Sequence, residues 1–210
     1  EMIGEVVGDQ HYIPMFWGEG GRKVNYRRFF DIDSLGGVRV DEPEIFDAAH
    51  GLILELSRLD GVDGLRVDHP DGLREPKVYF DRLADLSGCD WIVAEKILER
   101  EEQLPPEWSV AGTTGYDFLN DVLGMFQEPA GEAVLSELYE EFTDWHGQFS
   151  DLVRECKRDT CTRLLNADLD RLTRLVMSGS IGSGDVDEED ARMVLMELAA
   201  CMPVYRTYIG

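Results

Sequence analysis

An α/β fold with a parallel sheet, continued by a helical half, is what this sequence predicts, on three observations. Short continuous apolar runs at residues 64–68 and 91–94 alternate with amphipathic stretches, the signature of βαβ units whose sheet is covered on its faces. From Gly115 onward, apolar residues recur at spacings of three and four with few strand signals, which marks helices. The composition, 43% hydrophobic and 10% aromatic over 210 residues, supplies a core despite 30% charged residues, unlike an acidic disordered tail. That length suits one domain, or one and a half.

Residues 11–17 are rich in β-forming types, Gly18-Glu19-Gly20-Gly21 supplies positive φ for a turn, and residues 24–30 return, so the opening reads as a hairpin. Asp41-Glu42-Pro43-Glu44 is an acidic, proline-bearing helix start. Ile45, Phe46, Ala49, Leu52, Ile53 and Leu56 then recur at helical spacing, and the helix ends near Asp60-Gly61. A strand at 64–68, a helix at 75–86 and a strand at 91–94 follow. Helices are expected at 116–126, 132–145, 149 to about 159 and 162–177, with Glu128-Pro129-Ala130-Gly131 as the clearest break. The Gly/Ser stretch 178–184 reads as a flexible loop. Acidic residues 185–190 prime a last helix through Met202, before Pro203. No internal repeat or long low-complexity tract is present.

The charge is lopsided: 43 Asp and Glu against 20 Lys and Arg give a formal net charge of −23. That excludes a nucleic-acid binder that neutralises phosphates with a basic face. No apolar run approaches the ~18 residues of a membrane span, and an opening with Glu1 and Glu5 is not a signal peptide, so the expected compartment is cytoplasmic. Cys89, Cys156, Cys161 and Cys201 form no Cys-x-x-Cys pair and have no His at ligand spacing, so no metal is expected. They read as buried apolar thiols, although Lys157 and Arg158 give Cys156 the positive field a reactive thiol needs.

Two carboxylates stand out by position. Asp68 closes Gly-Leu-Arg-Val-Asp-His (64–69) and Glu95 closes Trp-Ile-Val-Ala-Glu-Lys (91–96). If the two strands are parallel neighbours, both acids emerge at the carboxyl edge of one sheet, where α/β barrels place their chemistry. Adjacent strands lie ~4.8 Å apart, compatible with the ~5–5.5 Å between carboxyl groups of a retaining glycosidase; an inverting pair needs a wider gap for water. The division of labour would be Asp68 as nucleophile and Glu95 as acid/base. Arg66, two residues before Asp68 on the same strand face, could hold that carboxylate ionised. His69 and Lys96 could add donors for sugar hydroxyls. The plainer reading of an acid at a strand end is a helix cap or a solvated loop residue.

The sequence around the acids resembles the second and third signature regions of the α-amylase superfamily of retaining α-glucan enzymes. Four blocks are similar, within it, to the maltooligosyl trehalose synthase family: Val-Asn-Tyr-Arg-Arg-Phe-Phe-Asp-Ile (24–32), Gly-Val-Asp-Gly-Leu-Arg-Val-Asp-His-Pro-Asp-Gly-Leu (61–73), Ala-Glu-Lys-Ile-Leu (94–98) and Ala-Gly-Thr-Thr-Gly-Tyr-Asp-Phe (111–118). They span most of residues 24–120 in the family's order; the helical half rests on its place in the chain.

The resemblance implies part of a (β/α)8 TIM-type barrel over residues 1–129, with the N-terminal hairpin, and a helical insertion over 130–210. It implies an intramolecular transglucosylation that turns the reducing-end α-1,4 bond of a maltooligosaccharide into an α,α-1,1 bond, with no redox or nucleotide cofactor. By motif, Asp68 attacks the anomeric carbon. Glu95 protonates the leaving glucose and later deprotonates its C1 hydroxyl, while Arg66 supports Asp68. Two displacements retain configuration, and a closed pocket keeps water from the glycosyl enzyme. His69, Lys96, Tyr116 and Asp117 are the candidates to line that pocket and bind substrate.

The departures carry equal information. A third acid on a later strand and an earlier signature with Asp and Asn-His are missing. Amylases place Lys-His three and four residues after the nucleophile, where this chain has Asp71-Gly72, which suits the trehalose-forming branch. The expectation is a piece of a much longer enzyme, inactive alone.

Three rivals stand beside this reading. One is another α-glucan glycosidase of the same superfamily. A second is a calcium site: Asp31, Asp33, Gly36 and Glu42 hold the first, third, sixth and twelfth positions of an EF-hand loop, but Leu35 and Arg39 occupy ligand positions. Residues 185–190 could also chelate a cation, though the helix dipole explains them more simply. The third is an acidic helical interaction module, through Leu135, Leu138, Tyr139, Phe142, Trp145 and Phe149. Such a stripe ordinarily packs in a core; left uncovered, it promotes self-association. His11, His50 and His146 read as structural or solvated.

Overall fold

The computed structural model describes residues 2–30, 32–179 and 186–208. In chain order its elements are α1 (Met2–Gly8), α2 (Gly20–Lys23), β1 (Arg28–Phe29), β2 (Ile32–Gly36), α3 (Pro43–Leu56), β3 (Gly64–Val67), α4 (Pro76–Ser87), β4 (Trp91–Ala94), β5 (Gly112–Thr113), α5 (Tyr116–Met125), α6 (Glu132–Thr143), α7 (Phe149–Arg163), α8 (Asn166–Ser178) and α9 (Glu188–Ala200). They fall into two units, one of Glu1–Gly37 with Gly147–Cys201 and one of Val38–His146 with Met202–Gly210.

The second unit holds a three-stranded parallel sheet in the order β3-β4-β5. Gly64, Leu65, Arg66 and Val67 pair with Trp91, Ile92, Val93 and Ala94, and β5 joins the end of β4 through Val93 with Gly112 and Ala94 with Thr113. Gly64 is required here: a Cβ would run into the Trp91 carbonyl oxygen. α4 links β3 to β4. It begins on Pro76 and stops at Gly88, whose φ of 66° is the left-handed conformation that a helix C-terminus favours.

Burial follows the sequence pattern in the sheet and in α4, but of the apolar face expected for α3 only Phe46 is buried, while Leu52, Ile53 and Leu56 are exposed. Phe46 of α3, Tyr79, Phe80 and Leu83 of α4, Val67, Ile92 and Ala94 of the sheet, and Trp108 form one core cluster. His50 is built into it. Its ring stacks on Phe46 at 4.0 Å, Nδ1 lies 3.0 Å from the Phe46 carbonyl, and Nε2 lies 2.8 Å from the Tyr79 hydroxyl. Burial pushes the Tyr79 phenol up to about 12.

In the first unit, α7, α8 and α9 pack around Cys161, Leu169 and Met196. Asp187 caps α9 by accepting from the Asp190 amide at 2.7 Å, and Glu188, Glu189 and Asp190 occupy its first turn. The dipole therefore accounts for these acids; Asp185 lies outside the described residues. Glu197 joins Arg154 and Arg158 across α7 and α9.

Several expectations need correction. Residues 11–17 and 24–30 do not pair as hairpin strands: 18–21 are helical, and the observed antiparallel pair is β1 with β2. The glycines serve close approach instead, since a Cβ on Gly20 would strike the Asp33 carboxylate and one on Gly21 would lie 2.8 Å from the Arg163 carbonyl. β2 also occupies the stretch read as a calcium loop; Asp31 lies outside the described residues, as do positions 180–184 of the Gly/Ser loop. Helix α1, absent from the sequence reading, covers Met2–Gly8. Of the four thiols only Cys161 is buried; Cys156 and Cys201 are exposed. The aromatic stripe is not core: Phe142 is 88% and Phe149 74% exposed, and Phe118 and Phe126 of the α5 region are open too. Periodicity shows that a face needs cover, not what supplies it. Among the described residues no helix is long and apolar enough to cross a membrane.

Tyr79→Phe leaves His50 Nε2 without its partner and should cost about 1–3 kcal/mol, read as a lower urea midpoint at unchanged slope. Below pH 10 Tyr79 is protonated both folded and unfolded; above it only the unfolded chain releases the proton, until the folded value of about 12. Stability should therefore fall as pH rises through that window, and the thermal midpoint of Tyr79→Phe should fall less steeply. Gly88→Ala forces a side chain into the left-handed region and should cost about 1 kcal/mol, measured the same way.

Candidate active site

Register creates the site. Because Val67 stands opposite Ala94, the next residues, Asp68 and Glu95, leave the carboxyl edge of the sheet side by side. Glu95 is still held by the ladder, its amide donating to the Val67 carbonyl at 2.8 Å. Arg66 projects from the same strand face as Asp68, as a period of two requires. One of its nitrogens, Nη2, lies 2.9 Å from Glu95 Oε1 and 3.9 Å from Asp68 Oδ1. The gap between those two oxygens therefore cannot exceed the sum of these distances. That bound accommodates the ~5–5.5 Å of a retaining pair. Arg66 is closer to Glu95 than to Asp68, the reverse of the partner expected for it.

The carboxylates differ in setting. The Asp68 side chain is 62% exposed and the Glu95 side chain 21%. The Tyr116 hydroxyl reaches Glu95 Oε1 at 3.4 Å, a long bond. Asp117 is turned to its own segment, accepting from the Thr113 hydroxyl at 2.5 Å, while that hydroxyl accepts from the Gly115 amide at 3.1 Å. Gly115 provides the φ of 102° that turns β5 into α5, which is how Tyr116 comes to lie beside Glu95. Asp68, Glu95, Arg66 and Tyr116 are thus brought together at one edge.

His69 and Lys96 are placed differently. His69 has a φ of 42°, and its ring lies over the Pro70–Gly72 turn, 6.1 Å from the Tyr205 ring. A Cβ on Gly72 would come within 2.9 Å of His69 Nδ1. Lys96, next to Glu95 beyond the end of β4, is fully buried. Its ammonium sits 2.7 Å from Glu102 Oε1 and 3.3 Å from Asp71 Oδ2. Asp71 also accepts from the Tyr208 hydroxyl. The Arg206 guanidinium donates to the carbonyls of Asp71, Leu73 and Arg74 and lies over the Tyr208 ring. Burial, then the Asp71 carboxylate, drives the Tyr208 phenol far above its ordinary value.

The sequence does not single out Asp71, Glu102, Arg206 and Tyr208 as site residues. Asp71 belonged to a recognised block, but nothing in the spacing of Glu102 or Tyr208 joins them to it. Among the described residues no group of three or more His, Cys, Asp or Glu is arranged to hold a metal ion.

No protein-family model matches the chain. A Mycobacterium tuberculosis protein named as a maltooligosyl trehalose synthase is 37% identical over 179 residues, which is 84% of this chain and 23% of that protein. The solved maltooligosyltrehalose synthase of Arthrobacter ramosus is 40% identical and superposes with a TM-score of 0.88, over 98% of this chain and 26% of its own. A Sulfolobus tokodaii protein described as a hypothetical maltooligosyl trehalose synthase is 32% identical with a TM-score of 0.81, over 99% and 26%. The chain spans about a quarter of the length of the curated relatives it matches. In sequence and in fold, then, this chain is similar to a stretch of the maltooligosyl trehalose synthases that makes up about a quarter of their length.

Proposed function

We propose that this chain supplies the nucleophile and the acid/base of an intramolecular transglucosylase that converts the reducing-end α-1,4 bond of maltooligosaccharides into an α,α-1,1 bond. The observation that carries the reading is the pairing of Asp68 and Glu95 across aligned parallel strands with one Arg66 nitrogen between them. Asp68, the more open carboxylate, attacks the anomeric carbon while Glu95 gives its proton to the leaving O4. The freed glucose then turns, Glu95 takes the proton from its C1 hydroxyl, and that oxygen displaces Asp68. Two inversions retain the α configuration. Arg66, bound to Glu95, holds the two groups in register, and Tyr116 steadies Glu95.

The architecture that goes with this reading is part of a (β/α)8 barrel over residues 1–129 followed by a helical insertion over 130–210. The third acid that such enzymes require lies outside these 210 residues. A maltooligosaccharide is then the partner, the setting is cytoplasmic, and no cofactor takes part. The open apolar faces of α5 and α6 favour self-association of the chain by itself.

In the full-length enzyme that contains this chain, Asp68→Asn should abolish trehalosyl formation from maltopentaose. Glu95→Gln should slow it about 10²–10⁴-fold, with the linkage followed by NMR. Activity retained by Asp68→Asn would overturn the assignment. The 210 residues alone should form no trehalosyl product.

A further inference from the structure

The buried ion cluster behind the site has a use that the chemistry of Asp68 and Glu95 leaves open. Lys96 is adjacent to Glu95 in the chain, yet a sugar cannot reach its ammonium: it is fully buried and held between Glu102 at 2.7 Å and Asp71 at 3.3 Å. Its partners belong to the segments that carry the site. Asp71 is in the Pro70–Gly72 turn that follows Asp68 and His69, and Glu102 lies in the loop that follows Glu95. Tyr208 and Arg206 then fasten that turn from a third segment, through the Asp71 carboxylate and the Asp71, Leu73 and Arg74 carbonyls.

The backbone between Asp68 and this cluster is under constraint. His69 sits in the left-handed region at a φ of 42°, and its carbonyl accepts from the Gly72 amide at 2.9 Å. A non-glycine residue keeps such a conformation only where its surroundings over-determine it, and the fastened turn does so. Lys96 thereby ties the end of β4, which positions Glu95, to the turn that positions Asp68.

We infer that Lys96, through its ion pair with Asp71, is a positioning residue that sets the spacing of the Asp68 and Glu95 carboxylates, rather than a donor to substrate. The inference rests on the transglucosylase reading above. Misplacing reacting groups by about 1 Å costs up to about 100-fold in rate, so the expected signature is in turnover and not in substrate binding.

The test is steady-state kinetics on maltopentaose with the full-length enzyme. Lys96→Met and the near-isosteric Asp71→Asn are compared with wild type and with Asp68→Asn. The expected result is a kcat lower by about 10- to 100-fold in both variants, with KM unchanged within about twofold. Unchanged kcat, or a raised KM at wild-type kcat, overturns the positioning role; the second outcome returns Lys96 to substrate binding. If Lys96→Met does not fold, Asp71→Asn decides, because it keeps the Lys96 pair with Glu102. An inactive wild type, or an active Asp68→Asn, would instead mean that the transglucosylase reading itself is wrong.

Discussion

The parallel pairing of β3 with β4 is the constraint on which the site depends. A parallel ladder has no freedom to place one strand end without the other, because each residue's partner is fixed along its whole length. With Gly64 facing Trp91 and Val67 facing Ala94, the first residue beyond each strand is a carboxylic acid beside a carboxylic acid. A shift of one residue would turn one of the two acids away. The core beneath the sheet, with Phe80, Leu83 and Ile92 almost wholly buried, holds the register in place.

Two ionic arrangements flank this edge and differ in kind. The pair of Arg66 with Glu95 is half open to solvent, and an exposed pair of this sort stabilises a fold by about 0–1 kcal/mol. Its effect is to orient. The cluster of Lys96, Asp71 and Glu102 is buried, where desolvation opposes the attraction and removal of a single partner costs about 3–5 kcal/mol. A nonpolar replacement would hold the same segments with less expense of solvation, so the charges at this position ask for an explanation in geometry.

The sequence made the sheet legible and left the surroundings obscure, for physical reasons that can be named. Leu65, Val67, Ile92 and Ala94 lie in short apolar runs bounded by Gly and acids, so β3 and β4 could be placed to within a residue; α3 and α4 carried their own starts in Pro43 and Pro76. Gly20 and Gly21 misled because a glycine chosen for a tight turn looks the same as one chosen for close packing against Asp33 or the Arg163 carbonyl. Asp68 and Glu95 were legible from their place at strand ends and from the resemblance of the surrounding blocks. The direction of Lys96 was not, because its partners Asp71, Glu102 and Tyr208 come from separate stretches of chain.

Gly64 gives the sheet a hidden vulnerability. It stands at the far end of β3 from Asp68, touches no proposed reacting group, and would pass for a linker residue in a mutational survey. Yet the Trp91 carbonyl leaves no room for a methyl group there. A single-nucleotide change from a glycine to an alanine codon would drive a wedge between the strands at one end and splay them at the other. A lesion so remote from Asp68 and Glu95 would present as a change in the spacing of those two carboxylates, at the opposite end of the strand from the substituted residue.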